Sequence, residues 1–150
     1  MSRRSRVSYT RRIELPPEAR RILESGALAH LVTLASDGSP QVSCVWVGLE
    51  GDDIVSGHLN PAQQKLRNVR HDPRVAVSLE GTELQPPGLK QYLVVHGTAR
   101  LEEGGAADLL QRLAHVYLGP DVKFPPMADP PPGVVMRITP ERLGGVGPWA

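Results

Sequence analysis

The stretch HLNPAQQKLRNVRHDP (residues 58–73) decides the fold, because it places a short basic helix directly after a β-rich run. Asn60 is a preferred helix cap and Pro61 suits the first helical position, so the pattern predicts a helix that begins there. The helix must end near His71, because an Asp-Pro pair follows it. Either it is a solvated connector, or its N-terminus and Lys65 hold an anion such as a cofactor phosphate.

β-Rich runs on both sides of this helix predict an antiparallel sheet. Six such runs are recognisable, at residues 28–35, 41–49, 54–58, 74–81, 90–102 and 134–146. An Asp-Gly pair separates the first two runs, which is a strong hairpin signal, so the first three predict an antiparallel meander. Two further helices are expected, within residues 17–25 and 105–119.

The order of these elements favours a closed antiparallel barrel. A doubly wound parallel sheet needs a helical crossover between most strands, and the predicted order lacks these crossovers. Closing six strands into a barrel removes the exposed edges of the sheet. We therefore predict a mainly β (α+β) protein, with a six-stranded antiparallel barrel and about three short helices in a single domain over residues 16–150.

Charge is unevenly distributed along the chain. Residues 1–15 form a basic N-terminal arm that contains Arg3, Arg4, Arg6, Arg11 and Arg12. Such an arm is typically flexible and solvated, although it can also fold over a bound anionic ligand. The net charge of the whole chain is only +1, so no strong field draws it to nucleic acid or to a membrane.

The apolar and sulfur-containing residues narrow the class of protein further. No apolar run approaches the roughly 18 residues that a membrane helix needs. The single Cys44 excludes an internal disulfide, which fits a reducing, cytoplasmic compartment, and we interpret it as a small buried hydrophobe. The five histidines form no cluster with ligand spacing, so we predict no metal site.

Two segments carry a resemblance to a known family. With the predicted element order, VTLASDGSPQVSCVWV (residues 32–47) and AQQKLRNVRHDPRVAVSL (residues 62–79) resemble the pyridoxamine 5'-phosphate oxidase-like split β-barrel superfamily over residues 17–144. Within it, the chain is most similar to the deazaflavin (coenzyme F420)-dependent oxidoreductases of the FDOR-B branch. The resemblance implies an FMN-binding split barrel that forms a homodimer, with two equivalent cofactor sites at the interface between the subunits.

The resemblance also implies which residues bind the cofactor. It assigns the ring and ribityl chain to two strands and the phosphate to the helix, through Pro40, Gln41, Ser43, Ser56, Gly57, His58 and Lys65. Many members have an arginine two residues before the lysine, where this chain has Gln63. One positive charge is thereby lost at the phosphate, and Arg67 and Lys90 are the candidates to compensate for it.

The residues alone leave the role of several of these positions open. A single helical lysine such as Lys65 is more often solvated than bound to phosphate. Gln41 and Ser43 share one face of a strand, which is also what an outward polar face looks like. His58 can bond a ligand or be a satisfied structural histidine, and Trp46 is expected to pack at an interface.

The function that the resemblance implies is hydride transfer. Reduced coenzyme F420 would donate to an electron-poor acceptor (an enone, a quinone or a tetrapyrrole), with no catalytic side chain and with the proton taken from solvent. The acceptor would lie near His58, the 83–90 loop and the Pro-rich 119–133 segment, and the basic arm would meet the cofactor's oligoglutamate tail. The alternatives are an FMN-dependent oxidoreductase, or a carrier protein that binds a flavin or deazaflavin without catalysis.

Overall fold

A computed structural model describes residues 11–150. Within this range the chain forms three helices and seven strands: α1 (Pro17–Leu23), β1 (Ala29–Leu34), β2 (Pro40–Val45), β3 (Gly48–Glu50), β4 (Asp53–His58), α2 (Gln64–His71), β5 (Arg74–Gln85), β6 (Leu89–Glu103), α3 (Ala106–Tyr117) and β7 (Val134–Val146). The prediction of a mainly β protein with about three short helices is confirmed. None of the helices in this part of the chain has the length and hydropathy of a membrane-spanning helix.

The sheet is antiparallel, but it has seven strands rather than the six predicted. Its order is β2-β1-β5-β6-β7-β4-β3. The predicted strand at residues 41–49 is interrupted at Trp46 and Val47, where the chain leaves β2 and starts β3. Apolar residues continue through this break, so the hydrophobic pattern does not reveal it. Both hairpins of the predicted meander are present, β1 with β2 and β3 with β4, but they lie at opposite ends of the strand order and do not form one continuous meander.

The sheet must curl on itself because its two outer strands are consecutive in the chain. β2 ends at Val45 and β3 begins at Gly48, so three Cα–Cα steps connect the opposite ends of the strand order. Each step spans about 3.8 Å, so the two ends lie within roughly 11 Å of each other. The strands therefore enclose a barrel, in which β2 and β3 are joined by the chain without being paired.

The barrel interior is filled by one residue in two along each long strand. β5 and β6 pair Val77 with Val95 and Leu79 with Leu93, and all four side chains are fully buried. Leu66 of α2 packs into the same core and is equally buried. Each such side chain stabilises the fold by roughly 1.5–3 kcal/mol relative to an exposed position. The core thus fixes α2 against the barrel by its apolar face.

Helix α2 begins three residues later than the sequence predicts. The Asn60 side chain accepts a hydrogen bond from the Ala62 N–H at 2.9 Å, which makes a local turn instead of a helix cap. The helix starts at Gln64 and ends at His71. Lys65 therefore lies in the first turn of α2, rather than one turn inward, and is nearer to the free backbone N–H groups.

The described end of the basic arm lies against the barrel. The Ile13 N–H donates to the Pro140 carbonyl at 3.0 Å, and Leu15 is 3% exposed. The Arg12 guanidinium bonds Asp53 at 2.7 Å. Burial alone would raise the pKa of Asp53, but its bonds to Arg12 and Arg100 hold that pKa below the usual value. The rest of the predicted arm, residues 1–10, lies outside the described residues.

Candidate functional site

A cavity of about 400 Å³ opens where β2, β4, α2 and α3 approach each other. This volume lies within the range of small-molecule sites. One wall is polar and comes from the end of β4 and the start of α2: His58, Asn60, Gln63 and Lys65. The other wall is apolar and comes mainly from β2, α3 and the Pro-rich segment: Leu28, Val45, Trp46, Leu110 and Phe124. Among residues 11–150, no carboxylate lines the cavity.

Lys65 supplies positive charge to the polar wall. Its side chain is half-buried, and burial lowers the pKa of its ammonium group. Within residues 11–150 Lys65 makes no ion pair, and no side chain caps the N-terminus of α2. A half-buried ammonium beside free helix N–H groups favours an anion at this point.

Gln63 presents an unpaired acceptor at the same place. It is the residue that precedes α2, and its side chain lines the cavity. Its Oε1 is buried and makes no hydrogen bond of acceptable geometry among the described residues. Buried polar atoms are nearly always paired, so this oxygen is open to the neighbouring His58 ring or to a donor from a ligand or water.

His58 forms the inner part of the polar wall. It is 5% exposed, and its Nε2 lies 2.8 Å from the Ser56 Oγ. Burial and, to a smaller extent, the charge of Lys65 lower the pKa of His58 to about 4, although the neighbouring Gln63 amide acts in the opposite direction. The ring is therefore neutral at pH 7, with one donor and one acceptor nitrogen.

Acidification is expected to destabilise the protein through His58. Its pKa is about 4 in the folded chain and 6.5 ordinarily, so between these values the unfolded chain binds a proton that the folded chain does not. Stability therefore falls from pH 7 to pH 4, by about 3 kcal/mol for this group alone. Urea unfolding at pH 7, 6, 5 and 4 should show a flatter dependence in His58→Gln.

Other groups are separable from this effect. Asp53 has a pKa below the usual 3.8, so its stabilising contribution is lost in more acidic solution. Equal pH dependence in the wild type and in His58→Gln between pH 7 and 4 would contradict the role given to His58.

An aromatic cluster forms part of the apolar wall. Trp46 stacks on Tyr117, with ring centroids 5.3 Å apart, and meets Phe124 at 5.1 Å in a tilted arrangement. The Tyr117 hydroxyl donates to the Ala27 carbonyl at 2.8 Å and accepts from the Val47 N–H at 3.0 Å. Trp46 thus packs against two rings of its own chain, and its expected place at an interface stays a prediction. The separation of 78 positions between Trp46 and Phe124 concealed this contact.

A buried polar network positions the start of α2. The Asn68 amide donates to the Thr33 Oγ1 at 2.9 Å and to the Gln41 Oε1 at 3.1 Å. Its own Oδ1 accepts from the Gln64 amide at 2.7 Å. The network joins β1, β2 and α2, so it holds the helix that carries Lys65. Asn68 was missed in the sequence because its polar character suggested an exposed helical position.

The structure brings about half of the predicted site residues together. Gly57, His58, Gln63 and Lys65 line the cavity, and Ser56 bonds His58. The predicted residues of β2 do not line it in the single chain: Pro40 is exposed, Ser43 is half-buried, and Gln41 belongs to the Asn68 network.

Three further positions differ from their expected surroundings. Arg67 is exposed and donates to the Gln64 Oε1 at 2.7 Å. Lys90 pairs with Glu80 at 3.2 Å and does not line the cavity. Cys44 is exposed at the cavity, so the prediction of a small buried hydrophobe is wrong for this chain. Cys44 shares the outward face of β2 with Pro40 and Val42, because side chains alternate between the two faces of a strand.

Comparison with known proteins gives one family and a consistent set of structures. The pyridoxamine 5'-phosphate oxidase family matches residues 15–147. A search of curated proteins finds no match. A solved F420 reductase is similar at 27% identity with a TM-score of 0.70, covering 87% of this chain and 98% of that one.

Two other solved structures share the fold at lower identity. A conserved hypothetical protein from Mycobacterium tuberculosis is 23% identical with a TM-score of 0.69, over 92% of this chain and 88% of that one. An FAD-binding protein from Mesorhizobium loti is 20% identical with a TM-score of 0.62, over 87% of this chain and 94% of that one.

Proposed function

Because the chain belongs to the pyridoxamine 5'-phosphate oxidase family, we propose that it is an oxidoreductase whose cavity binds reduced coenzyme F420. The resemblance found in residues 17–144 of the sequence is confirmed at the level of the family. The proposed cofactor has a flat tricyclic ring, a ribityl chain and a phosphate, as FMN does. The alternatives are therefore FMN-dependent catalysis, and a carrier that binds either molecule without turning it over.

The observation that carries this proposal is the unpaired polar wall of the cavity. The Lys65 ammonium and the start of α2 match a phosphate, because both attract negative charge and no lining carboxylate opposes it. The orphan Oε1 of Gln63 matches a donor such as a ribityl hydroxyl or a ring N–H. The aliphatic part of the apolar wall, formed by Leu28, Val45 and Leu110, suits the face of a flat ring. The residues present thus fit such a group.

The protein's contribution is binding and orientation. When bound, the reduced ring supplies a hydride, that is two electrons and one proton, to an electron-poor acceptor. Lys65 and α2 would hold the phosphate, and the apolar wall would exclude water from the reacting groups. His58 has a pKa of about 4, so at pH 7 it carries too few protons to act as the acid. The second proton then comes from solvent.

The experiment that tests this proposal separates the cofactors and the carrier. Fluorescence titration of the purified protein with coenzyme F420 and with FMN measures the two dissociation constants. Stopped-flow mixing of the reduced complex with an enone, a quinone and a tetrapyrrole then measures reoxidation. We expect tighter binding of F420, consistent with the similarity to an F420 reductase. A carrier would bind the cofactor but show no acceptor-dependent reoxidation.

A homodimer is part of the same proposal, because one face of the barrel carries exposed apolar side chains. Val42 and Leu28 are 61% and 49% exposed, and Tyr92 is 40% exposed. Cys44 lies in the same register row as His30. Leu28 and Cys44 also line the cavity, so a second copy on this face would cover the cavity mouth. A cytoplasmic location is proposed with it, because Cys44 is a lone thiol.

Val42→Arg is expected to convert this dimer into monomers. A charge without a partner in a buried interface raises the dissociation constant by about 100-fold. Light scattering after size-exclusion chromatography measures the mass across a dilution series. Val116→Arg, at a 51% exposed position of α3, is the matched control and should leave the mass unchanged. A wild-type monomer at every concentration, or a dimeric Val42→Arg, would show that this face is not the interface.

A further inference from the structure

The Pro-rich segment after α3 is fastened to the cavity by one side chain. Gln111 of α3 donates through its Nε2 to the Val122 carbonyl at 2.9 Å, and its Oε1 accepts from the Phe124 N–H at 3.1 Å. These two bonds hold the backbone on either side of Lys123, and they fix the position of the Phe124 ring. Phe124, the chain's only phenylalanine, is thereby placed in the cavity wall beside Trp46.

The Trp46 and Phe124 rings are both held in fixed positions in the cavity wall. Trp46 already has one stacking partner in Tyr117, whose hydroxyl is bonded to the backbone at Ala27 and Val47. Stacking on Tyr117 therefore holds one face of the Trp46 indole, and the plane of the Phe124 ring makes an angle of 57° with that indole. Both rings are only half-buried and both line the cavity. Two fixed aromatic rings at an angle form a corner that suits a flat apolar molecule.

The charges around the cavity restrict what this corner can hold. Lys65 is the only lysine or arginine among the lining residues that the structure describes, and the proposed function assigns it to the phosphate. An acceptor with carboxylate groups, such as a tetrapyrrole with propionates, would have no cation left to pair with among these lining residues. The neighbouring Leu28, Val45 and Leu110 are apolar. An uncharged acceptor therefore has the smallest desolvation cost on entering this corner.

We propose that Phe124 and Trp46 form the acceptor subsite, and that the acceptor is a flat, uncharged conjugated carbonyl compound of one or two rings. The proposal rests on the proposed function and selects among its acceptors. For a quinone, a hydride from the reduced cofactor and a proton from solvent give the hydroquinone, and the cofactor is left oxidised. Gln111 is a positioning residue, which acts only by holding Phe124 in place.

The first test measures the acceptor and the cofactor separately. With 1,4-naphthoquinone as acceptor, Phe124→Ala should raise KM about tenfold and leave the dissociation constant of the cofactor within about twofold. Gln111→Ala should raise KM in the same direction, and Phe124→Tyr should restore it. Met127→Ala is the matched control, because Met127 belongs to the same segment, is 43% exposed and does not line the cavity.

Two results would overturn the proposal. If Phe124→Ala weakens cofactor binding and leaves KM unchanged, the aromatic wall binds the cofactor ring. If biliverdin, a tetrapyrrole with two carboxylates, is reduced with a lower KM than the quinone, the acceptor class is wrong.

A second readout does not depend on turnover. In a Trp149→Phe background Trp46 is the sole tryptophan, so naphthoquinone bound at the corner should quench the fluorescence of the cofactor-free protein. Phe124→Ala should raise the quinone concentration that gives half-maximal quenching about tenfold. Saturable quenching without cofactor binding would mean that the proposed function fails while the subsite stands. Quenching that is linear in both proteins would remove the subsite itself.

Discussion

Lys65→Ala is expected to bind coenzyme F420 and FMN about 10- to 100-fold more weakly than the wild type. A hydrogen bond to a charged group contributes roughly 1.5–3 kcal/mol, and each 1.4 kcal/mol is about tenfold in the dissociation constant. Lys65 has no ion pair among the described residues, so a bound phosphate is the group that would lose its partner. Fluorescence titration measures the change directly.

Riboflavin provides the sharpest control for this variant, because it differs from FMN only by lacking the phosphate. Lys65→Ala should bind riboflavin as well as the wild type does, while it loses affinity for FMN. Arg67→Ala is the matched variant, since Arg67 lies on the same helix, is exposed, and its side chain bonds only Gln64 within the described residues. If Lys65→Ala binds FMN as tightly as the wild type, Lys65 does not hold the phosphate.

The second large effect is expected from Gly133→Ala, which should lower the free energy of unfolding by roughly 2–5 kcal/mol. Gly133 has a φ of +63°, where an alanine is strained. A Cβ built there would also overlap the His58 carbonyl oxygen and lie 2.7 Å from the Ala106 Cβ. His58 is the last residue of β4 and Ala106 is the first residue of α3, so both neighbours are held by regular structure. Urea unfolding at pH 7 measures the loss.

Gly38→Ala separates strain from steric overlap. Gly38 has a φ of +86°, but a Cβ there would meet nothing within 4 Å. Its cost should be only the conformational part, about 1–2 kcal/mol. Because the Gly133 methyl would press on the backbone of His58, Gly133→Ala should also weaken cofactor binding, whereas Gly38→Ala should not. Equal destabilisation by the two substitutions would show that the close contact at Gly133 relaxes without cost.

The sequence predicted most of the strands and three residues of the polar wall because the signals for both are local. Turn residues such as the Asp-Gly pair mark the first hairpin, and the Asp-Pro pair marks the end of α2 at His71. His58, Gln63 and Lys65 lie within one short segment, so a single resemblance found all three. Membership of the family was recognisable from the same segment.

The remaining features depend on contacts that are distant in the sequence. Trp46 and Phe124 meet only because β2, α3 and the Pro-rich segment converge, and no periodicity reports that. The break after Val45 is hidden because apolar residues occur on both sides of it. The start of α2 was misplaced because the Asn60 side chain bonds Ala62, two residues on, and so competes with capping.

The two-residue connection between β2 and β3 has a consequence for how this fold can vary. Trp46 and Val47 span from one end of the strand order to the other, and Trp46 also carries the aromatic wall. An inserted residue would rotate every following side chain of β3 and lift the indole off Tyr117. An open turn such as Asp37-Gly38 can be lengthened without changing the barrel. The β2–β3 junction cannot, because the same two residues connect the strands and, through Trp46, line the cavity, so neither the barrel nor the cavity can be altered alone.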